Sequence, residues 1–92
     1  MHRVHLTVRG LVQGVGFRGF VLRAAASLDL TGWVANRRDG SVLIEAEGSP
    51  EALGSLLARI REGPSHARVD AVEERWEQGP AHHRGFEIRS SP

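Results

Sequence analysis

One stretch of the chain has residue types and spacing suited to binding an anion. Gly14-Val15-Gly16-Phe17-Arg18-Gly19 fits the pattern G-x-G-x-x-G, follows an alternating apolar segment and opens an amphipathic one. Read as a dinucleotide fingerprint, it should have an acid about twenty residues downstream on a parallel strand. Asp39 has that spacing but sits in an Arg38-Asp39-Gly40 turn, and 92 residues cannot supply two mononucleotide-binding halves. As an anion cradle, the backbone N–H groups of the turn converge on one oxyanion and the helix start adds its positive dipole end. Arg18 then sets a permanently charged fork beside the same oxygens, and phosphate is the natural guest. As a plain connection, the glycines make a tight turn and Arg18 is solvated. Against this last reading stand Val12, Val15 and Phe17, which anchor the loop on the core at alternating points.

The flanking elements must hold this loop in place. His2 to Arg9 alternates, with Val4, Leu6 and Val8 on one face and Arg3, His5, Thr7 and Arg9 on the other, the pattern of a half-buried strand. Gly10 to Gly16 is too glycine-rich for regular structure. From Arg18 to Leu28, together with Phe17, the residues Val21, Ala24, Ala25 and Leu28 recur at helical spacing. Thr31 to Arg37 and Ser41 to Glu47 read as two short strands joined by Arg38-Asp39-Gly40, a strong hairpin signal. Ser49-Pro50-Glu51 opens a second helix with an N-cap serine, a proline at its first position and an acid in its first turn. Leu53, Leu56, Leu57 and Ile60 form its buried stripe, and Gly63-Pro64 stops it. Ala67 to Glu77 reads as a strand whose apolar phase shifts from Val69 and Ala71 to Val72 and Trp76, which implies a bulge or bend. Arg84 to Arg89 is a short last strand facing inward with Phe86 and Ile88.

This order predicts an α+β fold: a ferredoxin-like split βαβ sandwich (βαββαβ plus one short strand), an antiparallel sheet with two helices on one face. Size scaling gives ~5,300 Å² of folded surface, enough burial for one small core, and a single domain spanning residues 1–92 is expected. The terminal Ser90-Ser91-Pro92 reads as a natural fray, which favours a free-standing domain only slightly over one excised from a larger protein.

VQGVGFR (Val12 to Arg18) followed by GWVANRRDGSV (Gly32 to Val42) resembles the paired signature of the acylphosphatases, in the family's order and spacing. The flanking elements are similar over nearly the whole chain. Asp29 departs from the pattern, standing where a glycine is expected to end the first helix, outside both signature blocks. The resemblance implies the ferredoxin-like fold and hydrolysis of the carboxyl-phosphate bond of small acyl phosphates, without metal or other cofactor. It assigns phosphate binding to the Gln13, Gly14, Val15, Gly16 and Phe17 backbone with Arg18, and the positioning of the attacking water to Asn36. Inorganic phosphate or sulfate is then a competing anion. Taken by itself, an asparagine in the place of Asn36, beside a turn, more often bonds its own backbone, and only the resemblance favours the water. On this resemblance, the larger protein from which such a domain could be excised is one that uses carbamoyl phosphate.

The leaving group fits this chemistry. An acyl phosphate expels a carboxylate whose conjugate acid has a pKa of about 4, so it departs unprotonated. A phosphomonoester expels a far more basic alkoxide and usually needs an acid or a metal. The chain has no Cys, no His in either signature block and no metal-spaced set of ligands. The small anion site would leave the acyl end largely unread.

Other candidates are weaker. His82 and His83 are adjacent in a Gly/Pro loop and read as surface residues; His2 and His5 read as solvated beside arginines. Trp33 and Trp76 read as packing residues, and Arg37 and Arg38 either steer anions toward Asn36 or simply cover the turn. An RNA-recognition domain shares the element order but needs aromatic stacking residues on its central strands. Ser41 to Glu47 has none and carries two Glu. The pI of about 9.0 is no basic footprint, because all 12 basic residues are Arg and the net charge is only +1. No apolar run is long enough to span a bilayer. The expectation is a soluble, cytoplasmic monomer with no nucleic-acid or membrane partner. Hydrolysis of acetyl phosphate should therefore persist in excess chelator; activity lost on chelation and restored by a divalent ion would contradict this reading.

Overall fold

The computed structural model describes residues 1–90, so the Ser91-Pro92 end lies outside it. The elements run β1 (His2–Leu11), α1 (Phe17–Ser27), β2 (Thr31–Asn36), β3 (Val42–Gly48), α2 (Pro50–Glu62), β4 (Arg68–Gln78) and β5 (Phe86–Arg89). They form one five-stranded sheet in the order β4-β1-β3-β2-β5. The fold is the expected ferredoxin-like α+β sandwich. The accessible surface of 5134 Å² matches the size expectation. Val4, Leu6 and Val8 of β1, Val42, Ile44 and Ala46 of β3 and Val34 of β2 meet Phe17, Val21, Ala25, Leu53, Leu56 and Ile60 in one buried core.

Local chemistry explains the ends of the elements. Ser49 Oγ accepts from the Ala52 N–H at 3.1 Å, Pro50 is the first residue of α2, and the Gly63 N–H closes it on the Arg59 carbonyl at 2.8 Å. β1 continues through Gly10 and Leu11, beyond the expected end, because β4 extends alongside it. The bulge lies at Asp70: Arg9 faces Ala71 and Gly10 faces Val69, so one β4 residue is left over. Val69 and Val72 can then both pack on the core, while Trp76, on an edge strand, stays 42% exposed instead of packing.

The sheet is mixed rather than wholly antiparallel, because β5 runs parallel to β2. After β4 the chain must pass from one edge of the sheet to the other. Residues 79–85 make that passage at the end where β2 begins, so β5 enters in the same direction as β2. The crossing is fastened to Glu47. Its carboxylate accepts from Arg3 Nε (3.0 Å) and Nη2 (2.9 Å), Thr31 Oγ1 (3.1 Å) and the backbone N–H groups of His82 (2.7 Å) and His83 (3.0 Å). Arg3 also donates to the Pro80 carbonyl at 2.7 Å.

The face expected to be solvated is therefore covered at this end. Arg3 and Glu47 are 4% and 1% exposed, His5 bridges Glu45 and Glu77 at 3.0 and 2.9 Å, and His83 is paired with Glu45. Burial would push the Glu47 carboxyl up, but the His82 N–H, Arg3, Thr31 and the His83 N–H together hold it below the usual range. Hydrogen bonds from His5, then Arg3, hold Glu77 at about 2.

At the end of α1, the Leu30 N–H returns to the Ala25 carbonyl at 3.0 Å and the Asp29 N–H to that of Ala26 at 3.2 Å. This closure puts Asp29 at φ 55°, the left-handed region where glycine carries no Cβ penalty. Asp29→Gly should stabilise the fold by about 0.5–1 kcal/mol, read as a higher urea midpoint with an unchanged slope. An unchanged or lower midpoint would contradict this account.

Candidate active site

The site lies at the opposite end of the sheet from Glu47. Gly14 and Gly16 stand at φ 74° and 77°, and a Cβ at either would meet nothing, so backbone conformation rather than space is what calls for glycine. Gly16 is the residue before α1, which begins with no side-chain cap and no acid in its first turn. The first bond of the helix runs from the Phe20 N–H to the Gly16 carbonyl at 3.1 Å. Ahead of it, the N–H groups of residues 14–19 have no acceptor among the described residues. α2 is capped and α1 is open, so the positive end of its dipole faces outward.

A cleft of about 190 Å³ opens there, lined by Val12, Gly14, Gly16, Phe17, Arg18, Gly19, Asn36 and Ile88. Arg3, Arg9, Arg61, Arg68, Arg75 and Arg89 each lie against a carboxylate. Among the described residues, Arg18, like Arg23, Arg37, Arg38, Arg59 and Arg84, lies against no carboxylate, and of these it is the one that lines the cleft. Asn36 ends β2 on the helix-covered side, in register with Val42 of β3. Its Oδ1 is buried with no hydrogen-bond partner, where buried polar atoms are ordinarily paired.

The Gln13 side chain makes a tie of its own, separate from the backbone role expected of this residue. It donates to the carbonyls of Arg37 at 2.6 Å and Ser41 at 2.9 Å, tying the glycine loop to the β2-β3 hairpin that carries Asn36. The hairpin is itself braced by Asp39, whose Oδ1 accepts from Ser41 Oγ at 2.6 Å and the Ser41 N–H at 3.0 Å. These two bonds hold the Asp39 carboxyl at about 2, so it stays ionised in its turn.

The structure thus brings Gly14, Gly16, Phe17, Arg18 and Asn36 together. The Gln13 side chain acts on the hairpin and that of Val15 packs against the core, whereas Arg37 and Arg38 are exposed on the turn, outside the cleft. Ile88, expected to face inward, is 43% exposed at the cleft because the β5 edge leaves it uncovered. Gly19 was likewise not anticipated as a lining residue. No group of three His, Asp or Glu among the described residues is arranged to hold a metal ion.

Architecture and cleft together define a ferredoxin-like α+β protein with a cleft at the uncapped start of α1. The family model described as Acylphosphatase matches residues 4–88. An acylphosphatase from Salinibacter ruber is 49% identical over 87 residues, covering 95% of this chain and 92% of the relative. The crystal structure of acylphosphatase from Bacillus subtilis superposes with a TM-score of 0.94 at 38% identity, covering 97% of this chain and 99% of that one. Full-length HypF, solved in a phosphate- and nucleotide-bound form, matches with a TM-score of 0.86 at 30% identity over 99% of this chain but only 12% of its own. The chain belongs to the acylphosphatase family, enzymes that hydrolyse small acyl phosphates.

Replacing Gln13 by alanine removes both ties between loop and hairpin. Gln13→Ala should cost about 1 kcal/mol of stability and weaken inhibition by phosphate several-fold. An unchanged inhibition constant in a folded variant would show that the loop holds its shape without the tie.

Proposed function

We propose that the phosphoryl group of the substrate sits in the β1-α1 loop, held by the backbone N–H groups from Gln13 to Phe17 and by the Arg18 guanidinium, while Asn36 positions the attacking water. Water attacks phosphorus, the bond between phosphorus and the bridging oxygen breaks, and its electron pair leaves with the carboxylate. The water's proton passes to a phosphate oxygen, giving inorganic phosphate. Charge on the equatorial oxygens is met by donors already in place, and such transfer is governed by positioning and electrostatics rather than by a strong base.

The observation that carries this reading is the unpaired, buried Asn36 Oδ1 in the same cleft as the unpaired Arg18. An amide oxygen is a weak base but a good acceptor, able to fix a water through one of its O–H groups. Phosphate and sulfate, sharing the geometry of the phosphoryl group, compete for the cradle. A cytoplasmic monomer remains part of the proposal; no helix among the described residues is long and apolar enough to cross a membrane.

Substitution separates the two roles. Arg18→Ala should raise KM and the phosphate inhibition constant and lower kcat by on the order of a hundredfold, about 3 kcal/mol. Arg18→Lys should recover little, because a point charge lacks the fork. Asn36→Ala should lower kcat severely while phosphate binds with near-normal affinity. An Asn36→Ala enzyme, shown to be folded, that turns over normally or loses phosphate affinity as badly as Arg18→Ala would overturn this division.

A further inference from the structure

The cleft offers an incoming molecule one apolar side chain. Val12 and Phe17 are each 1% exposed, so their surface is spent on the core, whereas Ile88 is 43% exposed. A phosphate gains nothing from an isoleucine, which marks Ile88 as a poor fit to an anion site serving phosphate alone. Its place is set by register: β5 pairs parallel with β2, Ile88 stands beside Val34, and α1 packs along β5.

Gly19 is the second unexplained residue of the cleft. It lies inside α1, where glycine is among the poorest helix formers. Neither conformation nor packing calls for it: its φ is not positive, and a Cβ would meet only the end of the flexible Arg23 side chain at 3.2 Å. The effect of the missing side chain is room on the helix side of the cleft. In an acyl phosphate a single oxygen joins the two halves, so with phosphorus in the cradle the acyl group must lie within a few bonds of it, against this wall.

We propose that Gly19 and Ile88 form an acyl subsite: the acyl group lies over the bare backbone at Gly19 and against Ile88, so the enzyme favours acyl phosphates with an apolar acyl group large enough to cover the isoleucine. The proposal rests on the reading of the β1-α1 loop as the phosphate site. It replaces an unread acyl end with a selected one.

The test compares kcat/KM for benzoyl phosphate and acetyl phosphate in the wild type, Ile88→Ser and Gly19→Leu, with the phosphate inhibition constant measured alongside. Taking the ratio of substrates within each enzyme and comparing it across variants cancels their intrinsic reactivities. The benzoyl-to-acetyl ratio should fall about fivefold in Ile88→Ser through lost apolar contact and at least as far in Gly19→Leu through lost room, with phosphate inhibition within about twofold of wild type. Gly19→Leu favours the helix, so it keeps the test informative should Ile88→Ser unfold. A ratio unchanged in both variants with normal phosphate inhibition overturns the acyl subsite and leaves the cradle standing. A ratio that falls only together with phosphate affinity overturns it too, because the variants then act through the cradle. Failure of phosphate to inhibit the wild type overturns both readings.

Discussion

A helix start with no acceptor for its amides is the constraint on which the site depends. α2 shows how this chain closes a helix when nothing else is asked of it: serine cap, proline, acid in the first turn. α1 has none of these. The open amides, with the αL glycines that turn them and the Arg18 charge beside them, concentrate positive charge at this end of the cleft. Such a site keeps its shape only if the loop is held from outside, and Gln13 does this by bonding two carbonyls of the hairpin. The same bonds tie the glycine loop to the hairpin that carries Asn36, so one side chain links the two parts of the proposed site.

The other end of the sheet supplies the complement. Glu47 is a buried carboxylate, and the desolvation of such a charge is costly unless donors surround it. Here five hydrogen bonds do so, two of them from Arg3 and two from the backbone of the crossing segment. Fastening that segment decides where β5 enters, and β5 in turn decides that Ile88 borders the cleft. A buried charge at one end of the molecule thus shapes the apolar wall of the site at the other.

Legibility in the sequence followed the range of the interaction. Alternation in His2 to Arg9, the Ser49-Pro50-Glu51 start and the Asp39-Gly40 turn are local, and each reads correctly from neighbouring residues. The strain at Asp29 was visible as a missing glycine. The cleft residues in the two signature blocks were found by resemblance, since a glycine loop or an asparagine by a turn is ambiguous alone. What was hidden needed long-range register. Arg3 faces Glu47, and Glu47 faces Thr31, only once β1, β3 and β2 are aligned. Nothing local signals that β5 joins the far edge in parallel, so the exposure of Ile88 and the pairing of His5 and His83 are not legible from neighbouring residues. The Gln13 staple spans 24 and 28 residues to its two acceptors, a contact invisible to any short window.

On the proposed reading, backbone amides at the start of α1, with Arg18, hold the phosphoryl group. The most direct measurement is a titration of the ¹⁵N-labelled protein with inorganic phosphate, followed by amide and arginine Nε–H chemical shifts. The largest shifts should fall on the amides of residues 13–17 and on the Arg18 Nε–H, saturating with a single dissociation constant equal to the kinetic inhibition constant. Unmoved loop amides, with the shifts gathered instead around His82, His83, Arg84 and Arg89 in the cleft beside β5, would contradict this reading.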